Sequence, residues 1–272
     1  MKSAPFEYRR AQSAAQAVAM LGESDMAKAC GGSQSLGPML NLRLVQVDAL
    51  IDLSRIADLA TFSTDAHVLR IGAAVTHARI EDGELPDFTC GLLPTVAAGI
   101  AYRAVRNRGT IGGSLAHADP AADWVNTMCL LDAGIVVLGA KGERRLPASD
   151  FFLGPFTTAL APDEVIVAVE VPRFSSRARW AYRKTCRKPG EFADAIAAAW
   201  IDPERGIERA MIGALGGMPQ VIAGADAVAA LRRPGGIARA LEEADIEDDY
   251  EREVHAAMLR RALQDLDRSP AA

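Results

Sequence analysis

Aromatic side chains make up only 6% of this 272-residue chain, and its four cysteines and four histidines are dispersed. Cys30, Cys90, Cys129 and Cys186, with His67, His77, His117 and His255, form no C-x2-C or H-x3-H pair, so no metal or iron–sulfur site is expected in the chain itself. Free thiols are expected rather than disulfides, since a chain of this length without a signal segment does not need them. Excess positive charge is also missing. Thirty Lys and Arg against 35 Asp and Glu leave a net charge of −5, which argues against nucleic acid or an anionic membrane as partner. No apolar run approaches the ~20 residues of a membrane span, and Met1-Lys2-Ser3-Ala4-Pro5 holds no apolar signal core, so a cytoplasmic protein without a span is expected. Neither G-x-G-x-x-G nor G-x4-G-K-[ST] occurs, and any nucleotide must therefore be held by another kind of loop.

What is present is ample material for a core: half the residues are hydrophobic and 24% are charged. After a short strand, Ser13 is placed to cap a helix with Ala14, Ala17, Val18 and Leu21 on one face, ending near Gly22. A strand over 28–30, a helix over 36–44 and a strand over 50–53 complete a small αβ unit, 1–55. Beyond it, a strand over 68–75 leads to a helix that Thr76 can cap. A longer helix follows, with Val96, Ala97, Ile100 and Ala101 on one face, then a glycine loop over 109–114 and a helix over 122–132. Strands over 135–138 and 165–171 close the unit 56–173, the latter alternating Val165, Val167, Val169 and Val171 against Ile166, Ala168 and Glu170. Past Pro172 three β-like runs, 180–186, 193–201 and 207–215, precede helices, the last with Leu259, Ala262, Leu263 and Leu266 at helical spacing. This order predicts an α+β unit over 174–272.

Two glycine segments and one basic strand stand out. Gly31-Gly32-Ser33-Gln34-Ser35 lies between a strand and a helix, where backbone amides can cradle an anion such as a diphosphate; a tight turn is the alternative. The second, running from Thr110 through Gly112, Gly113, Ser114, Ala116, His117 and Asp119 to Asp123, gathers glycine, hydroxyl, imidazole and carboxylate within 14 residues. On the strand over 180–186, alternation sends Tyr182, Lys184 and Cys186 to one side and Arg183, Thr185 and Arg187 to the other.

Read together with Phe152-Leu153-Gly154-Pro155, with 182–193 and with the runs 32–44 and 106–113, these motifs resemble the FAD-binding medium subunit of molybdenum-containing hydroxylases. That family includes aerobic carbon monoxide dehydrogenase and bacterial xanthine dehydrogenase types. The resemblance covers nearly the whole chain and implies a two-lobed FAD-binding domain of the PCMH type. A carbon-monoxide-dehydrogenase-flavoprotein-like domain, a three-stranded antiparallel sheet plus helices, is expected after it.

The site residues it implies come from matching positions. The family's A-G-G-[HQ]-S pattern falls without a gap on Gly31, Gly32, Ser33, Gln34 and Ser35, with Ser33 in place of a glycine; a second alignment keeps both glycines and inserts a residue. Thr110, Gly112 and Gly113 match in the second segment, and Ser114 stands where asparagine is frequent. Ala116 and His117 are implied to pass the flavin ring, Asp123 to accept from ribose or ribitol hydroxyls, Ile100 and Ala101 to pack near adenine, and Ile166 to lie beside the isoalloxazine. For Asp123 a helix N-terminal charge, for His117 an ordinary loop position, and for Ile100, Ala101 and Ile166 core packing are the structural alternatives. Lys184 aligns with a lysine near the flavin, with Arg183 next in line should the register slip by one; a cation at the pyrimidine edge favours the reduced anion.

The implied role is that of an electron-transfer flavoprotein subunit carrying FAD. The resemblance places a molybdopterin cofactor on a large partner subunit and two [2Fe–2S] clusters on a small one, in an (αβγ)2 assembly. Two rivals are a free-standing flavin reductase of the UDP-N-acetylenolpyruvoylglucosamine reductase type and a flavin-free scaffold.

Overall fold

The computed structural model describes residues 2–268. Its first sheet is parallel, with strands β1 (Glu7–Arg10), β2 (Lys28–Cys30) and β3 (Ala49–Asp52) in the order β1-β3-β2. Parallel pairing demands crossovers, and helices Ala14–Leu21 and Leu36–Asn41 supply them. The first begins where the Ser13 hydroxyl accepts the Gln16 amide and buries Ala17, Val18 and Leu21. The second stops at Asn41, short of the expected Leu44. Arg43 takes a left-handed φ of 58°, and Leu42 and Leu44 are exposed, so no core contact draws the helix onward.

The second sheet has five strands in the order β4-β5-β10-β6-β7. They are β4 (Phe62–Thr64), β5 (Val68–Gly72), β6 (Gly134–Gly139), β7 (Gly142–Pro147) and β10 (Val165–Pro172), while β8 (Phe152–Gly154) and β9 (Thr157–Thr158) form a separate ribbon. Central β10 departs from the alternation read from its valines. A register shift between Ile166 and Ala168 inserts a bulge against β6, and a bulge inverts the phase of the side chains beyond it. Val165, Val167 and Ala168 therefore join Ala17, Leu21 and Ile51 in one core, whereas Ile166, Val169 and Val171 join Leu93, Trp124 and Met128 in another. The first sheet is thus packed onto the second through β10.

The longer helix expected to carry Ile100 and Ala101 is Leu92–Ala98; Gly99 caps it and Ala101 has φ of 43°, so neither residue lies on its face. The expected glycine loop is instead largely helix, Ile111–His117, with Thr110 as its cap. Helix Asp123–Leu131 follows, nearly all of it buried.

The last sheet is antiparallel, β11 (Arg179–Thr185), β12 (Ala195–Asp202), β13 (Ile207–Gly213) and β14 (Gln220–Ala223) in sequential order. The three strands expected here are joined by a fourth. β14 has four residues, none fully buried, so its pattern carries no clear period. Buried on both faces, β12 turns Ile196, Ala198 and Trp200 toward the second sheet's core and Ala195, Ala197 and Ala199 toward helix Asp249–Arg268, which covers them with Leu259, Ala262, Leu263 and Leu266. Among the described residues no helix is long and apolar enough to cross a membrane.

Candidate functional site

The carboxyl ends of the three parallel strands, Arg10, Cys30 and Asp52, open on one side of the first sheet, the usual place for a ligand in an open α/β sheet. There the segment after β2 meets the segment before helix Ile111–His117. A Cβ on Gly32 would stand 1.8 Å from the Arg108 carbonyl oxygen, and one on Gly31 would stand 2.8 Å from Thr110 Oγ1. Only glycine permits that approach at position 32. A polar cleft of about 370 Å³ lies beside this contact, lined by Tyr8, Arg10, Asp52, Arg55, Arg108 and Thr110 among others. Sharing Gly31, Ala74 and Thr110 with it is a narrow apolar slot of about 80 Å³ with Ala73, Gly112, Gly113, Ala116 and Ile166 in its walls.

The backbone amides of the two glycine segments differ. Among the described residues, the amides of Gly32, Ser33, Gln34 and Ser35 donate to no protein acceptor. Ser33 takes a left-handed φ of 60°, the conformation glycine favours. Successive amides around such a residue form a concave nest suited to an anion. The Gln34 side chain donates to the Gly32 carbonyl at 3.0 Å and so braces the turn.

In the second segment the amides are already engaged. Ile111 donates to Val75 O and Gly112 to Ala73 O, both at 3.0 Å, Ser114 donates to Thr110 O at 3.0 Å, and Gly113 donates to the Thr110 hydroxyl at 3.1 Å. Gly112 lies against Ala73, where an added Cβ would meet the Ala73 Cβ at 2.5 Å. Beneath the segment sits His77, whose amide donates to Gly109 O at 2.9 Å and whose Nδ1 accepts from Trp124 Nε1 at 2.9 Å. That bond places the imidazole proton on Nε2, and burial, with a lesser push from Arg106, lowers the His77 pKa to about 4.

Asp123 opens its helix and is almost wholly buried. Its Oδ2 pairs with Lys184 Nζ at 2.7 Å, and its Oδ1 accepts from the Tyr182 hydroxyl at 2.8 Å. Burial pushes this carboxyl above the usual carboxylate range despite the opposing pull of Lys184 and Tyr182. Tyr182 and Lys184 share a side of β11, as alternation predicts, and Arg183 on the other side pairs with Asp265. Lys184 also donates to Gly99 O at 3.2 Å, just before Ile100 and Ala101, whose carbonyls accept from Arg106. The Lys184 ammonium is therefore held in an ion pair with Asp123.

The structure thus gathers Gly31, Gly32, Thr110, Gly112, Gly113, Ala116 and Ile166 around the cleft and the slot, which are joined through Gly31, Ala74 and Thr110; Ser33, Gln34 and Ser35 follow Gly32 in the chain but line neither. Asp123, Lys184, Ile100 and Ala101 form a second group. Ser114 and His117 line neither cavity; the His117 ring packs on Phe156, with centroids 5.2 Å apart. Tyr8, Arg10, Asp52, Arg55 and Arg108 escaped the sequence reading, as did Tyr182 as the partner of Asp123. Asp52 is held below the usual carboxylate range: burial raises it, but the Tyr8 hydroxyl, the Ser54 amide and Arg10 outweigh that effect. Strand ends that converge in space were the available signal, and they become visible only once strand order is known.

Residues 4–174 match the family model described as the FAD binding domain in molybdopterin dehydrogenase. The chain belongs to this family, as an FAD-binding medium subunit of molybdenum hydroxylases and hence an oxidoreductase component. It is 40% identical over 195 residues to the carbon monoxide dehydrogenase medium chain of Hydrogenophaga pseudoflava, covering 71% of this chain and 68% of that one. The identity is 36% over 220 residues to the 6-hydroxypseudooxynicotine dehydrogenase complex subunit alpha of Paenarthrobacter nicotinovorans, covering 80% and 74%. Among solved structures, the medium subunit superimposes on carbon monoxide dehydrogenase from Hydrogenophaga pseudoflava with a TM-score of 0.88, at 33% identity and full coverage of both chains. Quinoline 2-oxidoreductase from Pseudomonas putida 86 gives 0.85 at 32% identity, covering 98% and 99%.

Proposed function

We propose that the medium subunit holds one FAD non-covalently along the joined cavity and serves as the electron outlet of a larger complex. The observation that carries this reading is the run of four amides without a protein acceptor among the described residues, set at the carboxyl ends of parallel strands beside Gly32, which the Arg108 backbone approaches too closely for a side chain. A cradle of that form suits the FAD diphosphate. Gly31 to Ser35 receive the diphosphate, Thr110, Gly112 and Gly113 form the opposite wall, and Ala116 and Ile166 leave space for a flat ring in the apolar slot. Ile100 and Ala101 lie on the adenine side, and Ser114 and His117 on the helix whose Gly112, Gly113 and Ala116 wall the slot. The Asp123–Lys184 pair holds Gly99 and its neighbours in place and presents a carboxylate to ribitol or ribose hydroxyls.

FAD, when bound, supplies a carrier that takes electrons one at a time and releases two. In this reading they arrive from the two [2Fe–2S] clusters of a small subunit, originate at the molybdopterin cofactor of a large subunit, and leave for an external acceptor. The assembly is (αβγ)2, in the cytoplasm, with 1–55 and 56–173 as the two FAD lobes and 174–272 as the third unit.

Reconstitution tests the proposal. The isolated chain incubated with FAD and desalted should show a flavin spectrum at about one flavin per chain, and acid precipitation should release that flavin into solution. It should reduce no dye with organic substrates until the two partner chains are supplied. Oxidation of NADPH by the isolated chain at a typical enzyme rate of roughly 10 s⁻¹ would make it a self-sufficient reductase instead. A well-folded chain that takes up no flavin would leave only the scaffold role.

A further inference from the structure

The charges of the polar cleft are unbalanced. Its walls carry three guanidinium groups, Arg10, Arg55 and Arg108, and one carboxylate, Asp52. Arg10 lies 3.4 Å from Asp52 and donates to the Tyr8 hydroxyl, so that cation and that anion neutralise each other. Arg55 and Arg108 are exposed, and among the described residues neither guanidinium has a hydrogen-bond or ion-pair partner. Elsewhere on the surface arginines are commonly paired: Arg103 and Arg106 share Glu81, Arg144 holds Glu164, and Arg70 and Arg145 share Glu170. The cleft therefore offers two uncompensated positive charges beside the amides of the first glycine segment.

We infer that Arg55 and Arg108 are the counter-charges of the FAD diphosphate, one from each lobe, and that they close on it across the Gly32–Arg108 contact. The inference rests on the FAD reading and extends it to side chains. A disubstituted diphosphate carries two negative charges, equal to the excess on the cleft walls, and guanidinium matches phosphate oxygens with paired N–H donors. Backbone amides fix the diphosphate's position, while the arginines supply the charge that four neutral donors lack. Arg108 follows the Arg106-Asn107 pair and precedes Gly109, so its backbone is fixed by the Gly32 approach while its side chain stays free for the ligand.

The test measures FAD affinity of the full chain by quenching of flavin fluorescence, at low and high salt, with ADP as a competing ligand. Arg55→Ala and Arg108→Ala should each weaken FAD about tenfold, the worth of one charge-assisted hydrogen-bond set, and together about a hundredfold. In the double variant ADP should lose its competition and the salt dependence of FAD binding should flatten, while Arg→Lys at either position restores part of the affinity. Circular dichroism should be unchanged, as both side chains are exposed. FAD affinity within twofold of the parent in the double variant overturns the inference and leaves the FAD reading intact. A folded parent that binds neither FAD nor ADP overturns both.

Discussion

The two glycine segments look alike in sequence and differ in physics. In the first, glycine clears the way for another backbone and leaves the neighbouring amides open to a ligand. In the second, Gly112 is pressed onto Ala73 and the first-turn amides are tied to Val75, Ala73 and Thr110, so the segment is a packed corner of the fold. A glycine pair reports where side chains are excluded. Whether a ligand or the protein excludes them is decided by the hydrogen-bond partners of the surrounding amides.

The largest expected effect separates the two roles. Gly112→Val would drive a branched side chain into Ala73 and should cost roughly 3 kcal/mol of stability, at the upper end of overpacking penalties, with flavin lost as a consequence of unfolding. Gly32→Ala must push loop 31–35 away from the Arg108 backbone; because that loop stands at the cleft edge, the variant should keep its circular dichroism and lose FAD at a smaller cost in stability than Gly112→Val. Denaturant titrations beside flavin content check the pair; equal stability losses in both would erase the distinction.

A smaller effect concerns the corner around His77. Its folded pKa of about 4 lies below the 6.5 of an ordinary imidazole, so the unfolded chain binds the extra proton first. The contribution is complete above pH 6.5 and lost as pH falls toward 4, amounting to about 2 kcal/mol between pH 7 and pH 5. His77→Gln keeps an acceptor for Trp124 Nε1 but cannot titrate. Its stability should fall less over that interval, by about that amount, and parallel pH profiles for parent and variant would remove His77 as the cause.

The smallest effect sharpens the first segment. Ser33 holds a φ of 60°, which costs a residue with a Cβ about 1 kcal/mol. Ser33→Gly removes that strain at the expense of a floppier unfolded chain, and a gain of a few tenths of a kcal/mol is expected. The midpoint of thermal unfolding, with FAD affinity measured alongside, checks it. A marked loss of affinity would show that the serine hydroxyl, and not the backbone, is what the site needs.

Much of this was legible in the chain. Ser13 and Thr76 cap the helices they were expected to cap, and alternation placed Tyr182 and Lys184 on one side of their strand, where both reach Asp123. The reading failed where period and contact part. The valines of β10 suggested one continuous face, but the bulge splits them between two cores. Polar β7 and short β14 gave no period to read. Ile100 and Ala101 continued an apolar run past the point where Gly99 ends the helix. Arg55 and Arg108 carried no signal as site residues, since only the assembled fold shows that they face one cleft.

The bulge in β10 also bears on how the molecule comes apart. One strand supplies Val165 and Val167 to the core shared with the first sheet and Val169 and Val171 to the core shared with the last. Peeling away the small parallel unit would strip one half of the strand of its apolar cover, and loosening the other core would strip the rest. The first and second sheets are therefore joined by common side chains, and their unfolding should be a single cooperative event in the apoprotein, with no separately melting sheet.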